Sequence, residues 1–220
     1  MLNILYKIED ELAGPIPVGG GSPIAAPLFE ELEGWKGVKE SDPSVRGRLE
    51  KYWEPVQIDE WSPSGTPWSA AFVSWVSREG DRGFPSVAAH WQYVDAVVRG
   101  DVPGWGAYSI LENQGAVPLQ VGDILIRPRG SGQSYTKEYW YTHGDIVGAV
   151  RDGYAELYGG NLGDTAKLAT RIQLAPNGVA EGRIRDYVSI LKREKKSGPS
   201  ALILGALGIV GGVLWTQSKA

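Results

Sequence analysis

The chain has no cysteine in 220 residues. That excludes a disulfide framework, a thiolate metal site and a cysteine nucleophile. It leaves the compartment open, because a chain without thiols tolerates oxidising and reducing surroundings alike. No His/Asp/Glu cluster has metal-ligand spacing, and no glycine-rich phosphate loop precedes a helix, so neither a metal nor a cofactor is expected. The net charge of −4 gives no reason to expect nucleic acid as a partner. The first twelve residues are not a secretory signal: Lys7, Glu9, Asp10 and Glu11 interrupt any apolar run.

What is plentiful is large aromatics and glycine. Nine tryptophans and ten tyrosines either line a groove or fill a core. The length suits one domain of ordinary size with extensions. Leu2, Ile4, Leu5, Ile8 and Leu12 recur at helical spacing, which predicts a short amphipathic helix that packs on the domain or meets a protein partner. Residues 14–27, rich in glycine and proline, read as a linker. Helices are expected over 28–34 and 44–53, the second capped by Asp42 or Ser44. Further helices are expected over 67–80 and 85–98, and a loop over 100–115. After that the pattern turns to strands: 124–127, 143–150, 154–158, 171–174 and a closing segment at 183–191. Helices first and an antiparallel sheet afterwards define an α+β domain. The division is 1–27 for helix and linker, 28–196 for the domain and 197–220 for a C-terminal apolar helix.

The central stretch is Thr66-Pro67-Trp68-Ser69-Ala70-Ala71-Phe72-Val73-Ser74-Trp75-Val76. Pro67 suits the first helical position, where its missing N–H would be unpaired anyway. Trp68, Phe72, Trp75 and Val76 form an apolar stripe at helical spacing. Ser69 then sits in the first turn, where unpaired N–H groups and the positive end of the helix dipole favour developing negative charge. Its hydroxyl is either a cap or a nucleophile. As a nucleophile it needs a base, and histidine suits that task near neutral pH. Ser69, His143 and Asn161 follow in the order nucleophile, base, orienting group. His90 competes as base or is a hydrogen-bonded histidine of core or groove. Asp145 can pair with either histidine or face solvent. Asn161, after two glycines, is equally well a turn residue. An oxyanion hole would use the Ser69 N–H and an upstream donor, for which Gln57, Ser64 and Thr66 are unranked candidates.

The run Pro67-Trp68-Ser69-Ala70-Ala71-Phe72-Val73-Ser74-Trp75-Val76 resembles the signature of an uncharacterised bacterial domain family, domain of unknown function 2272. That family is a relative of the NlpC-type and CHAP-type papain-like amidases. Tyr52-Trp53, the S-x-x-x-H-x-x-Y element from Ser86 to Tyr93, Gly122-Asp123-Ile124-Leu125, His143-Gly144-Asp145-Ile146-Val147 and Gly159-Gly160-Asn161 extend the likeness over residues 32–191. The resemblance implies a papain-like fold and cleavage of an amide bond in peptidoglycan, the expected partner. By that pattern Ser69 lies where the relatives have their catalytic cysteine, His143 on the catalytic histidine and Asn161 on the third polar residue. Serine lacks the accessible pKa with which cysteine ionises beside histidine. It acts through general-base abstraction, or the site is inactive and serves binding. Trp68, His90, Tyr93, Trp105, Tyr141 and Asp145 are the expected substrate-binding residues, with aromatic loops at 104–108 and 139–141 to hold glycan or peptide.

From Pro199 to Ser218 no residue is charged, and Ala201–Trp215 is apolar or glycine throughout. Fifteen residues span about 22 Å, and the flanking Pro199, Ser200 and Thr216–Ser218 extend them toward the ~30 Å hydrocarbon core. The Gly208/Gly212 pair and Trp215 fit a membrane anchor over 199–218; the alternative is a buried terminal helix of an oligomer. Lys192, Arg193, Lys195 and Lys196 precede the tail and Lys219 follows it, which places the domain on the cytoplasmic side. A bacteriophage protein, anchored in host inner membrane or virion membrane and delivered to the wall on infection, reconciles that orientation with peptidoglycan. The rival expectation is a catalytically inactive module of the same fold that binds wall or partner.

Overall fold

The structure is a computed structural model, and it describes residues 21–58, 60–110, 117–128 and 142–194. The expected N-terminal helix, Tyr141 and the C-terminal apolar segment lie outside the described residues. No helix among the described residues is long and apolar enough to cross a membrane.

Among the described residues four α-helices precede a six-stranded antiparallel sheet: α1 (Ala25–Gly34), α2 (Arg46–Trp53), α3 (Ser69–Gly80) and α4 (His90–Val98), then β1 (Trp105–Ser109), β2 (Ile124–Pro128), β3 (Thr142–Arg151), β4 (Tyr154–Gly159), β5 (Lys167–Gln173) and β6 (Ser189–Arg193). The strand order is β1-β6-β2-β3-β4-β5, every neighbouring pair antiparallel. The α+β expectation holds.

The sheet is buried on both faces, and the alternation of side chains shows it. Ile124 and Ile126 of β2 point to the helices and join Leu28, Leu49, Phe72, Val76 and Tyr93. Leu125, between them, faces the other way and joins Val147, Leu157, Ile172, Ile190 and Tyr187. That second core explains the unbroken Ile-Leu-Ile run. Its cover is the segment between β5 and β6, with Leu174, Ala180, Ile184 and Tyr187.

Several boundaries differ from the sequence reading, each for a local reason. The central helix opens at Ser69 and not at Pro67, because Trp68 takes a non-helical conformation (φ −102°, ψ 7°) as its N-cap. The Trp68 ring stacks on Trp35 at 4.5 Å, and its Nε1–H donates to Glu40 Oε2 at 2.7 Å. The fourth helix starts at His90, five residues later than expected. Residues 86 and 87 are tied to α3 instead: Arg78 donates to Ser86 Oγ at 2.7 Å and the Ser74 hydroxyl donates to the Val87 carbonyl at 3.5 Å. Trp105–Ser109, expected as loop, is a strand paired with β6. Residues 182–186 form a short 3₁₀ turn, and the last strand begins only at Ser189. Asp42 does cap: its carboxylate accepts from the Ser44 N–H at 2.8 Å, opening the 3₁₀ turn Pro43–Val45 that leads into α2.

Candidate active site

Ser69 is the first residue of α3. Its N–H is one of the helix-start donors without an intrahelical partner, since the first such bond runs from the Phe72 N–H to the Trp68 carbonyl at 2.9 Å. The Ser69 hydroxyl lies between two imidazoles. Oγ is 3.0 Å from His143 Nδ1 and 2.9 Å from His90 Nε2.

His143 and Asp145 are two residues apart on β3 and so share a face. His143 Nε2 is 3.0 Å from Asp145 Oδ1. The other carboxylate oxygen accepts from the Tyr187 hydroxyl at 3.1 Å, and Arg127 Nε lies 3.3 Å from it. Arg127 stands on β2 opposite His143 in the ladder, diagonal to Asp145. On the other side of the serine, His90 Nδ1 meets the Tyr93 hydroxyl, one helical turn along α4. Ser69, His90, His143 and Asp145 are all buried, Ser69 to 2 % exposure.

The proton positions follow from what each group can donate. A carboxylate only accepts, so His143 carries its proton on Nε2 and leaves Nδ1 bare. Nδ1 then accepts the one proton of the Ser69 hydroxyl. Burial, reinforced by the Asp145 charge, raises the Tyr93 and Tyr187 hydroxyls well above their ordinary range. Both phenols therefore keep their protons, and the Tyr187 hydroxyl, facing a carboxylate oxygen, donates to it.

Two glycines make room for this arrangement. A Cβ at Gly144 would fall 2.7 Å from His90 Nδ1, and one at Gly159 would fall 2.8 Å from His143 Nε2 and on Asp145 Oδ1. Both are closer than carbon can approach nitrogen or oxygen without displacing it. The glycines at 144 and 159 in the His-Gly-Asp and Gly-Gly-Asn motifs are thus explained by close approach.

Of the expected triad, the structure brings Ser69 and His143 together. Asn161 lies just past β4 in a left-handed conformation (φ 57°), and among the described residues no hydrogen bond joins it to either histidine. The third polar place on His143 is held by Asp145. His90, with Tyr93 behind it, meets the serine from the far side. Trp68 and Trp105 are core residues: Trp105 packs on Phe84 at 4.7 Å and donates from Nε1 to Asp81 Oδ2 at 3.2 Å. Of the oxyanion candidates, Gln57 and Ser64 are exposed, and Thr66 Oγ1 accepts from the Ser62 N–H at 3.1 Å. Sequence reasoning missed Arg127 and Tyr187. For Asp145 the sequence does carry a signal: period two on β3 puts it on the face of His143, ahead of a residue beyond the next strand.

A surface cleft of about 630 Å³ lies beside the loop that leads into α3, lined by Arg46, Glu50, Glu60, Trp61, Ser62 and Thr66. None of the residues around the Ser69 hydroxyl lines it. Among the described residues no group of three or more His, Asp or Glu side chains could hold a metal ion.

A serine, an imidazole and a carboxylate joined in that order are the parts of a nucleophilic site. A family model described as an uncharacterised protein conserved in bacteria (DUF2272) matches residues 34–193, and the chain belongs to that family. No curated protein and no solved structure matches it.

Proposed function

We propose that the protein hydrolyses an amide bond, with Ser69 as nucleophile, His143 as general base and Asp145 as the group that orients His143. The observation that carries this reading is the unbroken chain Ser69 Oγ–His143 Nδ1 at 3.0 Å and His143 Nε2–Asp145 Oδ1 at 3.0 Å. In the reaction the Oγ–H proton passes to Nδ1 while Oγ bonds to the carbonyl carbon and the π pair moves onto oxygen. The carbonyl then re-forms as the C–N bond breaks, and the amine leaves with the proton from Nδ1; water next gives a proton to Nδ1 and attacks the ester carbon, the C–Oγ bond breaks, and Oγ takes that proton back from Nδ1. The Ser69 N–H at the start of α3 is in place as one oxyanion donor. The likeness of its motifs to NlpC-type and CHAP-type amidases favours a papain-like arrangement and peptidoglycan as substrate, with Asp145 in the role first given to Asn161.

Anchoring by residues 199–218 in a bacterial inner membrane or a phage virion membrane remains part of the proposal, as does a protein partner for the N-terminal helix. Two of the charges that set the orientation belong to the folded domain. Lys192 is paired with Asp123, and Arg193 Nε lies 2.8 Å from Asp81 Oδ2.

The burial of Ser69 favours a second reading, a non-catalytic module that binds wall or partner. Incubation of purified protein with peptidoglycan, scored by new free amines, separates the two. The hydrolase reading expects release by the wild type and none by Ser69→Ala. Equal release by both removes Ser69 from the mechanism, and release by neither supports the module.

A further inference from the structure

The serine hydroxyl has one proton and two lone pairs. With that proton donated to His143 Nδ1, the 2.9 Å contact to His90 Nε2 is a hydrogen bond only if His90 is the donor. His90 then carries its proton on Nε2 and has a bare Nδ1, which faces the Tyr93 hydroxyl. A bare ring nitrogen can only accept, so the protonated Tyr93 hydroxyl donates to it. Every link therefore points the same way: Tyr93 to His90, His90 to Ser69, Ser69 to His143, His143 to Asp145. Reversing the chain with neutral imidazoles would set the bare Nε2 of His143 against a buried carboxylate, two acceptors face to face.

From this we infer that His90 is a second catalytic residue, which holds the Ser69 oxygen by an N–H while His143 removes its proton. The inference rests on Ser69 being the nucleophile. A serine hydroxyl loses its proton far less readily than a thiol, so charge accumulates on Oγ as Nδ1 takes the proton. A fixed N–H aimed at that oxygen stabilises the charge in a buried setting, where such a bond is stronger than in water. The second lone pair of Oγ stays open to the electrophile. His90 remains neutral throughout, and its proton never leaves Nε2. Tyr93 is a positioning residue that fixes which tautomer His90 adopts. The close approach of Gly144 to His90 is the space this second imidazole requires.

The test uses the full chain and a fluorophosphonate probe. Labelling forms the Oγ–P bond, breaks P–F, releases fluoride and leaves the serine proton on His143. His90→Ala is expected to slow labelling by about 10²–10³-fold, as loss of one such donor does elsewhere. His90→Gln, which keeps an amide N–H near the place of Nε2, is expected to recover part of that loss. Nitrogen-15 NMR of the wild type at pH 8 reads the tautomers directly, with only two histidines to assign; both are expected as Nε2–H. A folded His90→Ala that labels at the wild-type rate, or a His90 resonance showing the Nδ1–H tautomer, overturns this inference and leaves the nucleophile standing. A wild type that does not label at all removes the nucleophile, and the role of His90 with it.

Discussion

His143 and Asp145 bond through Nε2 and Oδ1 at 3.0 Å, and this contact decides which ring nitrogen faces Ser69. Asp145→Asn preserves the shape but offers an amide that can donate to Nε2, which turns Nδ1 into a donor. A change of this kind costs about 10⁴-fold in turnover in a serine triad, and a comparable loss of fluorophosphonate labelling is expected here. Asn161→Ala, by contrast, is expected to leave the rate unchanged. Parallel labelling time courses check both.

Gly159→Ala places a methyl group 2.8 Å from His143 Nε2 and on Asp145 Oδ1. Overpacking of this kind costs about 1–3 kcal/mol, and here the strain falls on the two groups that orient the base. The expected outcome is a lower urea midpoint together with loss of labelling. An alanine at Val98, an exposed residue at the end of α4, serves as the control and changes neither.

Tyr187→Phe removes a hydroxyl that donates to the buried Asp145 Oδ2 at 3.1 Å, leaving Arg127 as the remaining partner named on that oxygen. A hydrogen bond to a charged group contributes about 1.5–3 kcal/mol, and urea unfolding is expected to show a loss of that size.

The Asp123–Lys192 pair gives the chain a pH signature away from the serine. Burial raises the Asp123 carboxyl to about 6, although Lys192 opposes the shift. The folded chain therefore holds a proton that the unfolded chain releases between about pH 4 and pH 6. Stability from this group is greatest below its unfolded pKa and declines as pH rises through 6. Relative to Asp123→Asn, which does not titrate, the wild type is expected to gain up to about 3 kcal/mol between pH 7 and pH 4. Urea melts of the two proteins across that range check the sign. Glu156 works the other way: hydrogen bonds and ion pairs with Arg151 and Arg171 outweigh its burial and lower its pKa, so its contribution is lost in acid.

The helices and the antiparallel strands were legible because their apolar spacings are long and their turns carry glycine. Trp105–Ser109 was not, since Gly104 and Gly106 and two aromatics look the same in a loop as in an edge strand. The motif around Ser69 located one end of the site, and His143 the next link. Asp145 was visible as a neighbour two places along, yet Asn161 took its role on pattern alone. Arg127 and Tyr187 come to Asp145 from β2 and from the segment before β6, a meeting that depends on strand order and that no local pattern encodes. The tryptophans illustrate the same limit: Trp35, Trp68 and Trp105 could have lined a groove, and tertiary packing put all three in the core.

The nucleophilic role of Ser69 is tested most directly by intact-mass analysis after incubation with a small fluorophosphonate, followed by peptide mapping. The account predicts a single adduct on Ser69 in the wild type and none in Ser69→Ala. An unmodified wild type, or an adduct that persists in the alanine variant, would contradict it.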